Sequence, residues 1–362
     1  MAPRSRAVPA LPPRTESHSD THAARARRAP LAPITALRWA GHPLPAVPLP
    51  LDQHRWSLGA AGCDLIIPRS VSTRVSRTHA IVTRSATGLT LTDAPSKNGL
   101  AATAAGPRVP HLDLTAGQLG WVADVGVLAL SSPVARLRTQ LAWRLGLAAH
   151  AAVDDALTRV VTDQDLVVFT PVAADAISLA AELHAAGPRQ ANPLRGGAVR
   201  PPLEQVVGGT IVLDLARLGP LPAPYVHRLL GGGGVWRTIY IAPSLRVLHT
   251  HLGVAPAHLA TVTLVPLAHR AAEILPLVAD LWADGGATHH PDALGPVVRR
   301  ALARHRWPRG LGELQVAATR LLAYLTHGAV RPAAAALGIS HQALTAHFAR
   351  LGFGAVDIGR GA

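Results

Sequence analysis

VVGGTIVLDLARLGPLP, residues 206–222, decides how the chain is read. Two glycines lead into an apolar run in which Ile211-Val212-Leu213 has the composition of a strand buried on both faces, and the run ends on an acid, Asp214. An acid at the carboxyl end of such a strand lies at the crevice where α/β sheets bind their ligands, and in nucleotide-binding folds it holds Mg²⁺. The next residue is Leu215, not a second acid. The sequence therefore predicts a central α/β sheet and leaves open whether that sheet does phosphoryl chemistry.

Working outward, the stretch resembles the Walker B segment of the AAA+ domain of sigma-54-dependent transcription activators, which typically reads GGTLFLDEIGELP. Leu215 stands where that family has its catalytic Glu. Upstream, residues 156–170 resemble the helix and first strand of the same domain, and residues 178–189 resemble its first following helix. Between them the family writes GESGTGKE, because glycine amides wrap the phosphates and a Lys meets the β and γ oxygens. Here the aligned residues are Thr170, Pro171, Val172, Ala173, Ala174, Asp175, Ala176 and Ile177. No glycine remains, Ala176 takes the Lys position, and Asp175 adds a charge that repels a phosphate. No GAFTGA loop lies between His184 and Gly208, and no arginine lies between Arg246 and Arg270 to act as a finger. Residues 305–314 resemble the lid segment, with Trp307, Pro308, Glu313 and Leu314 retained and Gly312 in place of the nucleotide-sensing Arg. Phosphoryl transfer is mostly positioning and charge neutralisation. The resemblance thus implies a degenerate AAA+ scaffold: not an enzyme, no cofactor, with Asp214 as a remnant of the Walker B site.

Composition bounds the rest. The chain has 362 residues, 49% hydrophobic and 15% charged, with 35 Lys and Arg against 21 Asp and Glu, a formal net charge of +14. That length predicts two or three domains, and that charge draws polyanions, nucleic acid first. A single cysteine, Cys63, excludes an internal disulfide framework and suits a reducing cytoplasm. No apolar run approaches the roughly 18 residues of a membrane span, and no hydrophobic signal core is present. A soluble cytoplasmic protein is expected. The run Gly231, Gly232, Gly233, Gly234 lacks a Lys and a following helix start, so it reads as a turn between helix and strand. His289 and His290 with Asp292 lack a spaced partner pair, so they read as a helix-start loop around Pro291; no metal site is expected.

Residues 1–33 are rich in Pro, Arg, Ser and Ala and are expected to be a disordered tail. Residues 34–131 change to short β-rich runs separated by turn residues, the pattern of a β-sandwich. Three segments in order, residues 57–68 (SLGAAGCDLIIP), 75–80 (VSRTHA) and 96–100 (SKNGL), followed by residues 114–122, resemble the forkhead-associated (FHA) domain, a phosphothreonine-reading module. By that resemblance Ser76 and Arg77 face the phosphate with Lys97 close by, Asn98 hydrogen-bonds the peptide main chain, His79 braces the loop and Gly99 serves a tight turn. The family's Gly-Arg pair is here Gly59-Ala60, which removes its main phosphate-binding guanidinium; Arg74 and Arg69 are the candidate substitutes. A phosphopeptide site and a sandwich kept for protein contacts both stay open.

Residues 331–353, RPAAAALGISHQALTAHFARLGF, have a helix-turn-helix layout, with small Ala334 in the first helix and Gly338 at the turn. They resemble the Fis-type DNA-binding domain that ends the same activator family. Leu344, Phe348 and Leu351 share one face of the second helix; Gln342, Thr345, Ala346 and Arg350 project from the other toward a major groove. Ser340 caps the helix or donates to a phosphate, and His341-Gln342 replaces the family's basic pair.

The reading is therefore multidomain: a disordered tail (1–33), an all-β FHA sandwich (34–131), a helical linker (132–150), a degenerate α/β AAA+-like domain of P-loop type (151–283), a helical lid (284–325) and a Fis-type helix-turn-helix (326–356). The expected function is a DNA-binding transcription regulator that receives a protein signal, in the form of phosphothreonine or not, through its N-terminal module. Its expected partners are double-stranded DNA, a phosphorylated protein and at least one further copy of itself. Repression, occlusion or recruitment fits better than direct activation. Two alternatives stand: an FHA adaptor with no DNA role, and a working ATP-dependent sigma-54 activator with an atypical nucleotide site.

Overall fold

The computed structural model describes residues 32–86, 88–231, 234–253 and 259–358. The tail expected over 1–33 lies almost wholly outside them, as do the two central glycines of the 231–234 run.

Eleven short strands build the first unit: β1 (Ile34–Trp39), β2 (Val47–Pro48), β3 (Arg55–Gly59), β4 (Leu65–Ile66), β5 (Ala80–Arg84), β6 (Leu89–Asp93), β7 (Leu100–Ala101), β8 (Arg108–Val109), β9 (His111–Leu114), β10 (Leu119–Val122) and β11 (Val125–Ser131). They form two sheets, ordered β2-β1-β11-β10-β7-β8 and β4-β3-β5-β6-β9. Trp56 and Leu58 on β3 and Leu89 and Leu91 on β6 alternate inward, as a half-buried sheet requires, and close a core with Leu37, Trp39 and Val127. Strand β11 breaks the alternation because it is buried on both faces: Val127 and Ala129 face the sandwich core, while Leu128 and Leu130 face a second core beyond it.

That second core belongs to an α/β unit of α1 (Ser132–Leu145), α2 (His150–Val160), β12 (Leu166–Phe169), α3 (Ala173–Ala186), β13 (Leu194–Gly197), β14 (Thr210–Asp214), α4 (Ala223–Gly231), β15 (Arg237–Ala242), α5 (Leu245–Leu252) and β16 (Ala260–Thr263). Its five strands are parallel in the order β13-β14-β15-β12-β16. Strand β12 sits between β15 and β16 while the chain runs from β12 to β13 at the far edge, so the carboxyl end of β12 is the switch point of the sheet. Residues 132–150, expected as a linker, are an integral part of this unit. Val134, Leu137 and Leu141 of α1 are buried with Leu179 and Leu183 of α3.

The last third is helical: α6 (Ile274–Asp284), α7 (Pro296–Arg304), α8 (Gly310–His327), α9 (Val330–Ala336) and α10 (His341–Leu351). One core runs through all of it, from Ile274, Leu277 and Trp282 of α6 through Leu314 and Leu321 of α8 to Phe348 of α10. Two boundaries drawn from the sequence therefore shift. Helix α6, assigned to residues 151–283, packs its apolar face into the helical unit, and the segments 284–325 and 326–356 share a core instead of forming separate bodies. Among the described residues, no helix is long and apolar enough to cross a membrane.

Candidate functional site

The switch-point crevice follows directly from β12. Its carboxyl end delivers Thr170, and the turn through Val172 starts α3. A nucleotide's phosphates need an open loop of amides here. The space is instead filled. Arg144 from the end of α1, 3% exposed, donates from Nε to the Asp175 carbonyl (3.2 Å), from Nη1 to the Gln140 carbonyl and Oε1 (2.9 and 2.7 Å), and from Nη2 to Ser178 Oγ (2.9 Å). Arg270, also buried, donates to the Trp143 carbonyl (2.7 Å) and to Glu273 Oε2 (2.7 Å). The cavity left between Thr170, Asp175, Leu267 and Leu311 measures about 10 Å³, about one water at most.

Asp175 brings a largely buried carboxylate to the same place. Its Oδ1 accepts the Leu311 N–H at 2.9 Å, and Gly312 N–H also points to the carboxylate, so an internal anion caps the amino end of α8. That end carries unpaired N–H groups and the positive pole of the helix. Burial raises the Asp175 carboxyl above its ordinary range, against the lowering effects of Arg144, the two amides and Arg270. Gly310 is obligatory: its φ is +63°, and a Cβ there would lie 1.9 Å from Asp175 Oδ2.

Asp214 ends β14 with no exposure. Its Oδ1 accepts the Ala216 N–H at 3.2 Å, and the exposed Arg217 approaches its Oδ2 at 3.6 Å. Leu215 turns into an apolar core with Leu213, Tyr240 and Leu248. Leu215 is thus a packing residue. A nucleotide triphosphate does not fit these residues. Among the described residues no cluster of His, Cys, Asp or Glu is placed to hold a metal ion; His290 pairs locally with Asp292 at 2.9 Å.

In the sandwich, the β4–β5 loop carries Arg69, Arg74, Ser76 and Arg77, and the β6–β7 loop carries Lys97 and Asn98. The two loops meet where Lys97 N–H donates to Ser76 Oγ (3.3 Å) and Asn98 Nδ2 donates to the Arg74 carbonyl (2.6 Å). The fully buried His79 locks them from beneath: Ser76 N–H donates to its Nδ1 (3.1 Å), and its Nε2 meets the Gly99 carbonyl and Ser96 Oγ at 2.9 Å each. Ala60 N–H donates to the Ser76 carbonyl (2.9 Å), and a Cβ on Gly59 would lie 1.9 Å from the Arg77 carbonyl oxygen. Glycine at 59 is required for this close approach. Arg74, Arg77 and Lys97 are exposed, and none has an ion-pair partner among the described residues. What this arrangement can do is hold a convergent cationic edge on rigid loops. Asn98 is already spent in part on its own chain.

In the helical unit, Gly338 at φ +65° turns α9 into α10, and Ser340 caps α10 by accepting the Ala343 N–H (3.1 Å). Leu344, His347, Phe348 and Leu351 are buried; His341, Gln342, Thr345, Ala346 and Arg350 are exposed. The buried His347 was not singled out in the sequence, because its i+3 spacing from Leu344 reads as core.

The chain is thus defined as a β-sandwich joined to a parallel α/β sheet and a helical unit ending in a capped helix pair. No protein-family model and no curated protein matches it. Among solved structures it is similar to the FHA domain of the CT664 protein from Chlamydia trachomatis (19% identity, 26% of this chain and 95% of that one, TM-score 0.23). It is also similar to NtrX from Brucella abortus in complex with ATP (17% identity, 62% and 68%, TM-score 0.35) and to Mycobacterium tuberculosis EmbR in complex with a low-affinity phosphopeptide (22% identity, 24% and 22%, TM-score 0.21). At these identities and scores the likenesses carry no argument about activity or partner.

Proposed function

We propose that the chain is a DNA-binding transcription regulator whose N-terminal sandwich reads a phosphothreonine-bearing protein and whose central α/β unit is a catalytically silent, AAA+-like scaffold that supports self-association. The observation that carries the reading is the capped α9–α10 pair, which leaves Gln342, Thr345, Ala346 and Arg350 on one exposed face with Leu344, Phe348 and Leu351 anchored beneath. A helix so presented suits the major groove, where Gln pairs bidentately with adenine and Arg reaches guanine or phosphate. Ser340 and His341 at its amino end are the candidates for a phosphate contact. The silent-core reading is supported by the filled crevice at Asp175 and by Leu215 in the apolar core. The phosphothreonine reading is supported by Arg74, Ser76, Arg77, Lys97 and Asn98 meeting on two loops braced by His79.

The test is selection of bound duplexes from genomic fragments, followed by anisotropy titration of the best one at several salt concentrations. Affinity is expected to fall linearly in log–log form with salt, as counterion release requires. Gln342→Ala is expected to weaken the selected site roughly 5- to 150-fold, the weight of about 1–3 kcal/mol for a bidentate base contact, while leaving random DNA unchanged. A chain that enriches no sequence but captures a phosphothreonine peptide through Arg77 would sink the DNA role and leave the adaptor. ATP turnover above a protein-free control would sink the silent core.

A further inference from the structure

Helices α8 and α10 part above Ala174, leaving a cleft of about 770 Å³ between the helical unit and the start of α3. Pro308, Val316 and Leu351 give it apolar walls, and Arg309, Arg320 and Arg350 also line it. The acid at its rim is already engaged: Glu313 Oε1 meets His305 Nε2 at 3.1 Å, and Oε2 accepts the Arg309 N–H at 3.0 Å. None of the three arginines has a carboxylate in ion-pair range among the described residues. Arg320 is half-buried and lies near enough to Arg350 for the two like charges to oppose each other. His347, 6% exposed, also lines the cleft, its Nε2 lacking any hydrogen-bond partner. The opposition of Arg320 and Arg350, offset in part by the Glu313 carboxylate, and an orphaned buried ring nitrogen both raise the energy of the empty cleft.

We propose that this cleft is a binding site for a small organic anion, with a phosphate or carboxylate head held by Arg320 and Arg350 and an apolar body against Pro308, Val316 and Leu351. The volume lies within the roughly 300–1,000 Å³ of small-molecule pockets, which likewise combine apolar walls with a few convergent polar groups. The cleft adjoins the filled crevice, Ala174 and Gly312 lying next to Asp175 and Leu311, but it does not use the residues that fill it and does not depend on the DNA reading. It does share Arg350 with the exposed face of α10, so a bound anion draws that guanidinium toward α8. A DNA backbone phosphate offers the same head chemistry without the apolar body, and the two sources give different outcomes below.

His347 supplies an internal reporter. Burial first, then Arg320 and Arg350, with a smaller contribution from His305 and opposed by Glu313, lowers it to about 4. A bound anion offsets the arginines and moves it upward.

The full chain is titrated calorimetrically with phenyl phosphate and, separately, with inorganic phosphate. Expected are saturable one-site binding of phenyl phosphate at or below about 1 mM, at least tenfold tighter than inorganic phosphate. Arg320→Gln and Arg350→Gln should each weaken it at least tenfold, with thermal midpoints unchanged or raised because a repulsion is removed. Arg300→Gln, on α7 outside the cleft, should bind as the parent does. The His347 ring resonances should titrate at higher pH with phenyl phosphate bound. No saturable binding, equal binding of inorganic phosphate, or indifference to both substitutions overturns the proposal. Phenyl phosphate that binds only in competition with duplex DNA of any sequence, and inorganic phosphate equally well, assigns the arginines to the DNA backbone instead.

Discussion

Replacing Asp154 by Ala is expected to cost the fold about 3–5 kcal/mol, the range for breaking a buried ion pair from one side. Asp154, on α2 and 3% exposed, accepts from Arg38 Nε (3.2 Å), Arg138 Nε (2.6 Å) and the Gly41 N–H (2.8 Å). Arg38 belongs to β1 of the sandwich, is itself 4% exposed, and also donates to the Leu44 carbonyl (2.6 Å) and the His42 carbonyl. Burial and Arg138 already lower its pKa, and the aspartate is the opposing charge. Removing the carboxylate leaves two guanidiniums facing each other out of water. Urea unfolding should show the loss, and hydrogen exchange should show it concentrated in β1, β11 and α2. Asp154→Asn, which keeps the shape and some hydrogen bonding, should lose less. A loss below about 1 kcal/mol for the alanine variant would mean that the pair is screened like a surface bridge. This carboxylate, with Leu128 and Leu130, makes the sandwich and the α/β unit one packed body across the β11–α1 junction.

The second large effect is expected at the latch between α3 and α8. Gly310→Ala should destabilise the helical unit by about 2–5 kcal/mol: roughly 1–2 for an L-residue in the left-handed region, and roughly 1–3 for overpacking against a carboxylate that cannot move freely. Asp175→Ala should cost less, about 1–2 kcal/mol, the value of a helix cap, offset by relief of the burial that raises its pKa. The informative measurement is the double-mutant cycle. The Cβ added at 310 lies 1.9 Å from Asp175 Oδ2 and 2.5 Å from its Cγ, so deleting that side chain removes the clash. The double variant should be more stable than additivity allows by about 1–2 kcal/mol. Additive losses would separate Gly310 from Asp175 and leave α8 without its internal anion.

Much of this architecture was legible from local pattern. The apolar run 211–213 ended by Asp214 reads as a buried strand because both faces of a parallel strand are covered, and it forms β14. The strands of the sandwich follow from alternation, and Gly338 and Ser340 mark where α10 begins. The absence of glycine and Lys from residues 170–177 was also visible, since a phosphate cradle depends on residue types within eight positions.

What could not be read are the contacts between distant segments. Asp175 was legible only as a charge hostile to phosphate; its role as the cap of α8 depends on a residue 136 positions away. Arg38 and Asp154 are 116 positions apart and carry no shared pattern. Residues 132–150 and α6 were misallotted for the same reason: an amphipathic helix shows that it has a partner but not which one. Sequence by itself determined the three kinds of local structure and the absence of glycine and Lys from residues 170–177, because hydrophobic period and side-chain chemistry are set over a few residues. Only the tertiary structure decided that Arg144 and Asp175 fill the crevice at the end of β12, that Leu215 packs into the core, and that Arg320, Arg350 and His347 line one cleft. Those outcomes depend on which surfaces meet, a choice made by the packing of the whole chain.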